Sequence, residues 1–260
     1  MSTQLTDDLG MVGRQLVAEQ KNFWRNPTSA GFTFVFPIMF LVIFSTINSG
    51  AKLGQSFGKI SYTEYYVPGI LAFSVIAACF TNLAINLSRL RDDGVLKRKR
   101  GTPLPAWVLL GGMIANVIVI AIILSVITVG VGMAVYGNEA PRHVIWLVLS
   151  LALGAGTFCA LGVAATGIIP NADAAAAVTN FLVFPLLFLS GTFFPVSSHV
   201  LTVISDVFPV RPFQQALFQS MDPQHNVGHP EWRYVAILAA WLIGGVTFAA
   251  TTFRWEKRGT

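Results

Sequence analysis

Charge is what this 260-residue sequence has least of: Asp, Glu, Lys and Arg together make up 11% of it, against 54% hydrophobic residues. Soluble domains carry about 25% charged residues, so a water-facing globule is excluded. The interiors of its long apolar runs hold no Asp, Glu, Lys, Arg or His, and this removes the usual seat of a proton or cation relay. Cysteine is scarce. Cys79 and Cys159 both lie in apolar runs, where thiols act as small hydrophobes instead of a disulfide framework. A phosphate-cradling loop is also missing. Gly54-Gln-Ser-Phe-Gly58-Lys59-Ile60 is one residue short between its glycines and has Ile where a hydroxyl is needed. Gly154-Ala-Gly156 lacks a third glycine, and Leu189-Ser190-Gly191 runs on into Thr192-Phe-Phe-Pro195. No nucleotide site is expected in this chain, and so no cofactor. His225 and His229 stand four apart, with His199 and Asp222 in the same loop, but Pro223, Gly228 and Pro230 argue against the helix that would pair them on a metal. No Ser-His-Asp arrangement stands out.

What the sequence does have is membrane-length helices. A helix needs about 20 apolar residues to cross the hydrocarbon core, and six runs meet that length: Ala30–Ile47, Tyr65–Leu87, Ala106–Val135, His143–Ile169, Ala174–Phe193 and Tyr234–Phe253. They are continuously apolar instead of alternating, which excludes a β-barrel. The expected fold is a single all-α integral membrane domain of six transmembrane helices. Its parts are an interface helix over 1–28, spans one to five over 30–193, an outer hairpin over 194–233, span six over 234–253 and a tail over 254–260. The first span is expected to remain as an uncleaved anchor, because Asp7, Asp8 and Glu19 precede it. Before it, Leu5, Leu9, Val12, Leu16 and Phe23 form an amphipathic stripe ended by Asn26-Pro27. With the N-terminus inside, twelve Lys and Arg fall on the cytoplasmic side and five outside; this predicts both termini in the cytoplasm. The loop 194–233 holds an apolar piece, Val200–Val210, too short to cross, and reads as a re-entrant or interface-lying hairpin on the outer side.

The densest signal is Arg89–Pro105, where six of the seventeen Lys and Arg residues fall between two spans. Such an island marks the cytoplasmic face, and its place beside apolar spans argues against nucleic acid as the partner. Its two Asp residues and Gly-Thr-Pro exit suggest a docking surface. Inside the spans the polar side chains are neutral: Asn82, Asn86, Asn116 and Asn180. They can bond neighbouring helices or touch a substrate. Ala152, Gly156, Ala160 and Ala164 recur every four residues, a smooth stripe for close approach by a helix of this chain or of another subunit. Pro37 and Pro185 can kink their helices. In the fourth-to-fifth connection, Asn171 or Asp173 can cap the following helix.

The order of these parts resembles the membrane-spanning permease subunit of type-2 ATP-binding-cassette exporters, especially the bacterial drug and lipid branch that includes the daunorubicin-type permeases. The resemblance covers nearly the whole chain. It rests on the interface helix, on Tyr65-Tyr-Val-Pro-Gly69, on Asp92-Asp-Gly-Val-Leu-Lys-Arg-Lys-Arg-Gly-Thr-Pro-Leu-Pro105, and on Leu189-Ser-Gly-Thr-Phe-Phe-Pro195 with Val207-Phe-Pro-Val-Arg-Pro-Phe213. It implies a multi-pass protein of a bacterial plasma (inner) membrane that pairs with a second permease, identical or related, and with two separate ATPase subunits that bind the ATP and Mg. Asp92, Asp93, Gly94, Lys97, Arg98 and Arg100 would then contact the ATPase. The second and fifth spans would line the path of a hydrophobic small molecule or lipid, with Asn82, Asn86, Asn180, Phe184 and Phe188 as its candidate residues. A gradient-driven carrier or channel, a polysaccharide or glycolipid permease and a membrane-embedded lipid-modifying enzyme are the alternatives.

Overall fold

A computed structural model describes residues 2–48, 61–100, 106–193, 199–221 and 230–253. The Gly54–Lys59 loop, the His225/His229 pair and the C-terminal cations lie outside the described residues. Helix α1 (Ser2–Trp24) stops just before Asn26-Pro27, and Pro27 opens α2 (Pro27–Ile47), where its missing amide costs nothing. The second span begins as α3 (Tyr62–Ile76), loosens into a π turn over Ala77–Asn82 and continues as α4 (Leu83–Asp92). Its start is fixed by a capping box: the Ser61 hydroxyl accepts the Glu64 amide at 3.2 Å, and the Glu64 carboxylate accepts the Ser61 amide at 2.7 Å. After a turn at Gly94 comes the short α5 (Val95–Arg100). The long α6 (Ala106–Tyr136) and α7 (Val144–Ala165) follow, then α8 (Ala172–Leu189), the short pair α9 (His199–Val207) and α10 (Val210–Met221), and finally α11 (Trp232–Thr252).

Among the described residues there is no strand, and six helices are long and apolar enough to cross a membrane. The expected helical architecture is therefore present, with shifted ends. The second span runs longer at both ends than Tyr65–Leu87, over Tyr62–Asp92, because the Ser61 cap sits upstream of the apolar run. The fourth span ends at Ala165, short of Ile169, because Thr166 turns its hydroxyl back onto the Val163 carbonyl at 2.6 Å. The fifth ends at Leu189, before Phe193, because Gly191 takes the left-handed conformation, φ 83°.

The second span is the axle of the bundle. Nearly all of Tyr65–Ile76 is buried, and α2, α6, α7 and α10 all pack on α3. Small residues set the tightest approaches. A Cβ on Gly162 of α7 would lie 2.9 Å from the Cys79 carbonyl and 3.0 Å from that of Phe80, both on the π turn. The Ala152–Ala164 stripe resolves to a contact within this chain: Gly245 of α11 would place a Cβ 3.2 Å from Ala160. Along α1, Val12 and Gln15 pack against Gly111 and Gly112 of α6, and Gln20 donates to the Asn116 carbonyl at 3.4 Å. Asn116 thus belongs to the seam between α1 and α6.

Gly162→Val should lower stability by about 1–3 kcal/mol through overpacking against the π-turn carbonyls. Gly156→Ala, whose Cβ would meet only Leu242 at 3.8 Å, should change it by less than about 0.5 kcal/mol. Thermal unfolding of the two variants in detergent micelles checks the contrast.

Candidate functional site

A cavity of about 300 Å³ lies between α2, the second span and α8. Phenyl rings wall it (Phe32, Phe36, Phe73 and Phe184), and Thr33, Thr81, Asn82 and Asn180 supply neutral polar groups. Pro37 and the π turn both border it. The extra residue in the π turn reconciles two demands: Ala77, Thr81 and Asn82 reach the cavity while the Cys79 and Phe80 carbonyls press on Gly162. Asn82, Asn180 and Phe184 are thus brought together. Asn86 and Phe188 are not among the lining residues: Asn86 is exposed on α4, and Phe188 packs its ring 5.5 Å from Phe193. No described lining residue is charged. Helices α2 and α8 barely touch, so the cavity opens between them, with Phe32 69% and Phe184 38% exposed.

At the end of the bundle away from α5, three separated sequence stretches meet in one polar knot. Tyr65 donates its hydroxyl to the Gly191 carbonyl, and Gln214 Nε2 donates to the same oxygen at 3.3 Å. The Thr192 hydroxyl donates to Gln214 Oε1 at 3.2 Å and shares a 2.7 Å hydrogen bond with Ser190. Gly69 allows this closeness, since a Cβ there would stand 2.8 Å from the Thr192 carbonyl. Arg211 pairs with Asp206 at 2.9 Å, and Arg233 of α11 reaches the other Asp206 oxygen at 3.5 Å. Beneath the knot, buried Phe193 touches Phe40, Phe44, Phe73 and Phe188, with ring centroids 5.5–5.8 Å apart. Gln214 gives no sign of its role in the sequence; only its place on the buried face of α10 does.

The opposite end carries the basic elbow. Gly94, φ 68°, ends α4 and lets α5 turn away. Asp93, Lys97 and Arg98 are exposed there, and Arg98 Nη2 donates to the Asp93 carbonyl at 3.4 Å. The Arg100 side chain lies outside the described residues. Asp92 points the other way: its side chain is 10% exposed and pairs with Arg91, which is 4% exposed, at 3.0 Å. Arg91 was missed in the sequence, where it is one cation among six; its neighbour Asp92 at the end of an apolar run is the only hint.

A family model described as ABC-2 type transporter matches residues 14–221. The chain belongs to this family. The matched stretch includes the elbow, the cavity and the knot. YvfS of Bacillus subtilis (strain 168), named as a transport permease, is 24% identical over 239 residues, which is 90% of this chain and 94% of that protein. The inner membrane transport permease YadH of Escherichia coli (strain K12) is 22% identical over 156 residues, 60% of each protein. As an ABC-2 family member the chain is the membrane transport permease subunit of an ABC transporter and is not itself the catalytic part; the family implies an ATPase partner.

Gln214→Leu should remove both a donor from the Gly191 carbonyl and an acceptor from the Thr192 hydroxyl and cost about 1–3 kcal/mol, whereas Tyr65→Phe, which leaves Gln214 on the Gly191 carbonyl, should cost about 1 kcal/mol. Chemical denaturation followed by tryptophan fluorescence ranks the two.

Proposed function

We propose that this ABC-2 permease exports a hydrophobic or amphipathic compound (a drug, an antibiotic or a lipid) from a bacterial cell, with both termini in the cytoplasm of an inner-membrane protein. Two ATPase subunits that bind ATP and Mg supply the work, and a second permease, identical or related, completes the path. The observation that carries this reading is the cavity. Its phenyl walls suit an apolar body, and its two asparagines suit a polar head through hydrogen bonds of modest strength. Its opening between α2 and α8 lets such a molecule enter sideways from the bilayer. A sugar chain would call for more polar contacts than this lining offers, and an ion-coupled carrier would call for an ionisable group there.

The remaining parts fit the same cycle. The exposed Asp93, Lys97 and Arg98 on a rigid elbow are a surface on which closing ATPase subunits can push. The α9–α10 hairpin acts as an outer re-entrant cover, held by the knot, with Phe193 as its stopper above the cavity. Release then requires the Gly191 carbonyl to lose its two donors, a cost that keeps the path shut between strokes.

Lys97→Glu with Arg98→Glu should abolish cargo-stimulated ATP hydrolysis and transport while leaving membrane insertion intact, measured on the co-expressed complex in vesicles; full activity would remove the elbow from the ATPase contact. Asn82→Ala with Asn180→Ala should raise the half-saturating concentration of an amphipathic dye about thirtyfold, at about 1 kcal/mol per lost bond, with basal ATP hydrolysis unchanged. Uphill movement of cargo by the permease alone would overturn the reading.

A further inference from the structure

Two consecutive residues at the end of α4 bond both ends of the connection between α7 and α8. Arg91 Nη1 donates to the Thr166 carbonyl at 2.8 Å and Nη2 to the Pro170 carbonyl at 3.4 Å, while Nε meets Asp92 Oδ1 at 3.0 Å. The other Asp92 oxygen accepts the Ala172 amide at 2.7 Å. That amide is the first of α8, where a carboxylate is favoured by the helix dipole. Asn171 caps the same helix end through the Ala174 amide at 2.8 Å. Both charged side chains are almost sealed from solvent, so separating them from the turn would strand a buried charge. Their partners across the gap are backbone atoms, so the grip acts on the turn itself and not on its side chains.

From this geometry we infer that Arg91 and Asp92 form a clamp that makes α4 and α8 move as one piece when the elbow is pushed. The inference rests on the proposed function for the origin of the push. Gly94 and α5 follow Asp92 after one intervening residue, Asp93, so a load on Lys97 and Arg98 reaches the clamp across five or six residues of chain. From the clamp it passes along α4 to Asn82 and along α8 to Asn180, the two polar walls of the cavity. Helix α2, which with Leu124 of α6 completes the wall, makes no bond to the clamp among the described residues. A push on the elbow therefore shifts two walls together against a third and alters the gap between α2 and α8. Arg91 and Asp92 act as positioning residues that touch neither cargo nor nucleotide.

The test uses the permease co-purified with its ATPase subunits, with ethidium as the amphipathic probe, and the variants Arg91→Gln and Asp92→Asn. The clamp predicts that ethidium moved per ATP hydrolysed falls about tenfold while ATP hydrolysis stays near its parent rate. A parallel loss of both, or no change in the ratio, overturns it. A second measurement does not depend on the cargo. Nitroxide labels on Arg89→Cys and Asp173→Cys, both exposed positions, report the distance across the clamp by pulsed electron resonance, without nucleotide and with a non-hydrolysable ATP analogue. One narrow distance in both states, broadened by Arg91→Gln, is the expected result. A distance that changes with nucleotide in the parent, or one that Arg91→Gln leaves narrow, refutes the clamp. Failure of the parent complex to move any amphipathic dye tells against the proposed function instead, and the label distances still decide the clamp.

Discussion

The contact of Gly162 with the carbonyls of Cys79 and Phe80 is the constraint on which the arrangement turns. Inside a bilayer no water satisfies backbone groups, so helices must pack with their hydrogen bonds intact. The second span is buried on almost every side, and its π turn lets two carbonyls lean outward. They can do so only against a neighbour with no side chain, and Gly162 is that neighbour. The same turn then presents Thr81 and Asn82 to the opposite side, where the cavity lies. Packing on one face of the helix and chemistry on the other come from one local irregularity.

The six crossing helices were legible because their signal is long and redundant: twenty apolar residues in a row outweigh any single substitution. The first helix was legible through its stripe, and its end through Asn26-Pro27. The candidate site was legible in part. Asn82, Asn180 and Phe184 stood out as polar or bulky groups on two helices expected to face each other. Asn86 and Phe188 stood out equally, and only the rotation of the helices separates them from the other three. That rotation depends on the π turn, which shifts every residue beyond Ile76, and a widened turn leaves no composition signature. Asp92 could be picked out as a charge in the basic loop, but its orientation depends on Gly94 and on amides of a helix that begins at Ala172.

Three of the stretches that carry the resemblance stand far apart in the sequence. Their common purpose is spatial. Tyr65 and Gly69 on α3, Ser190 to Phe193 after α8, and Arg211 and Gln214 on α10 all converge on the carbonyls of Ser190, Gly191 and Thr192. A glycine on one element makes room for a carbonyl on another, and a tyrosine and a glutamine on two further elements hold it. Polar groups at this depth are safe only when all are paired. This explains why such distant positions must be of matching types.

The seam between α1 and α6 has a consequence for the order of events at the ribosome. Helix α1 leaves the exit tunnel before α6, and the glycines that receive it, Gly111 and Gly112, lie two spans downstream. At ordinary synthesis rates that delay is on the order of ten seconds. During it α1 lacks the surface on which it finally packs, and an amphipathic helix can lay its apolar side in the headgroup layer of the lipid. The amphipathic character of α1 therefore suits the interval before α6 arrives as well as the finished molecule.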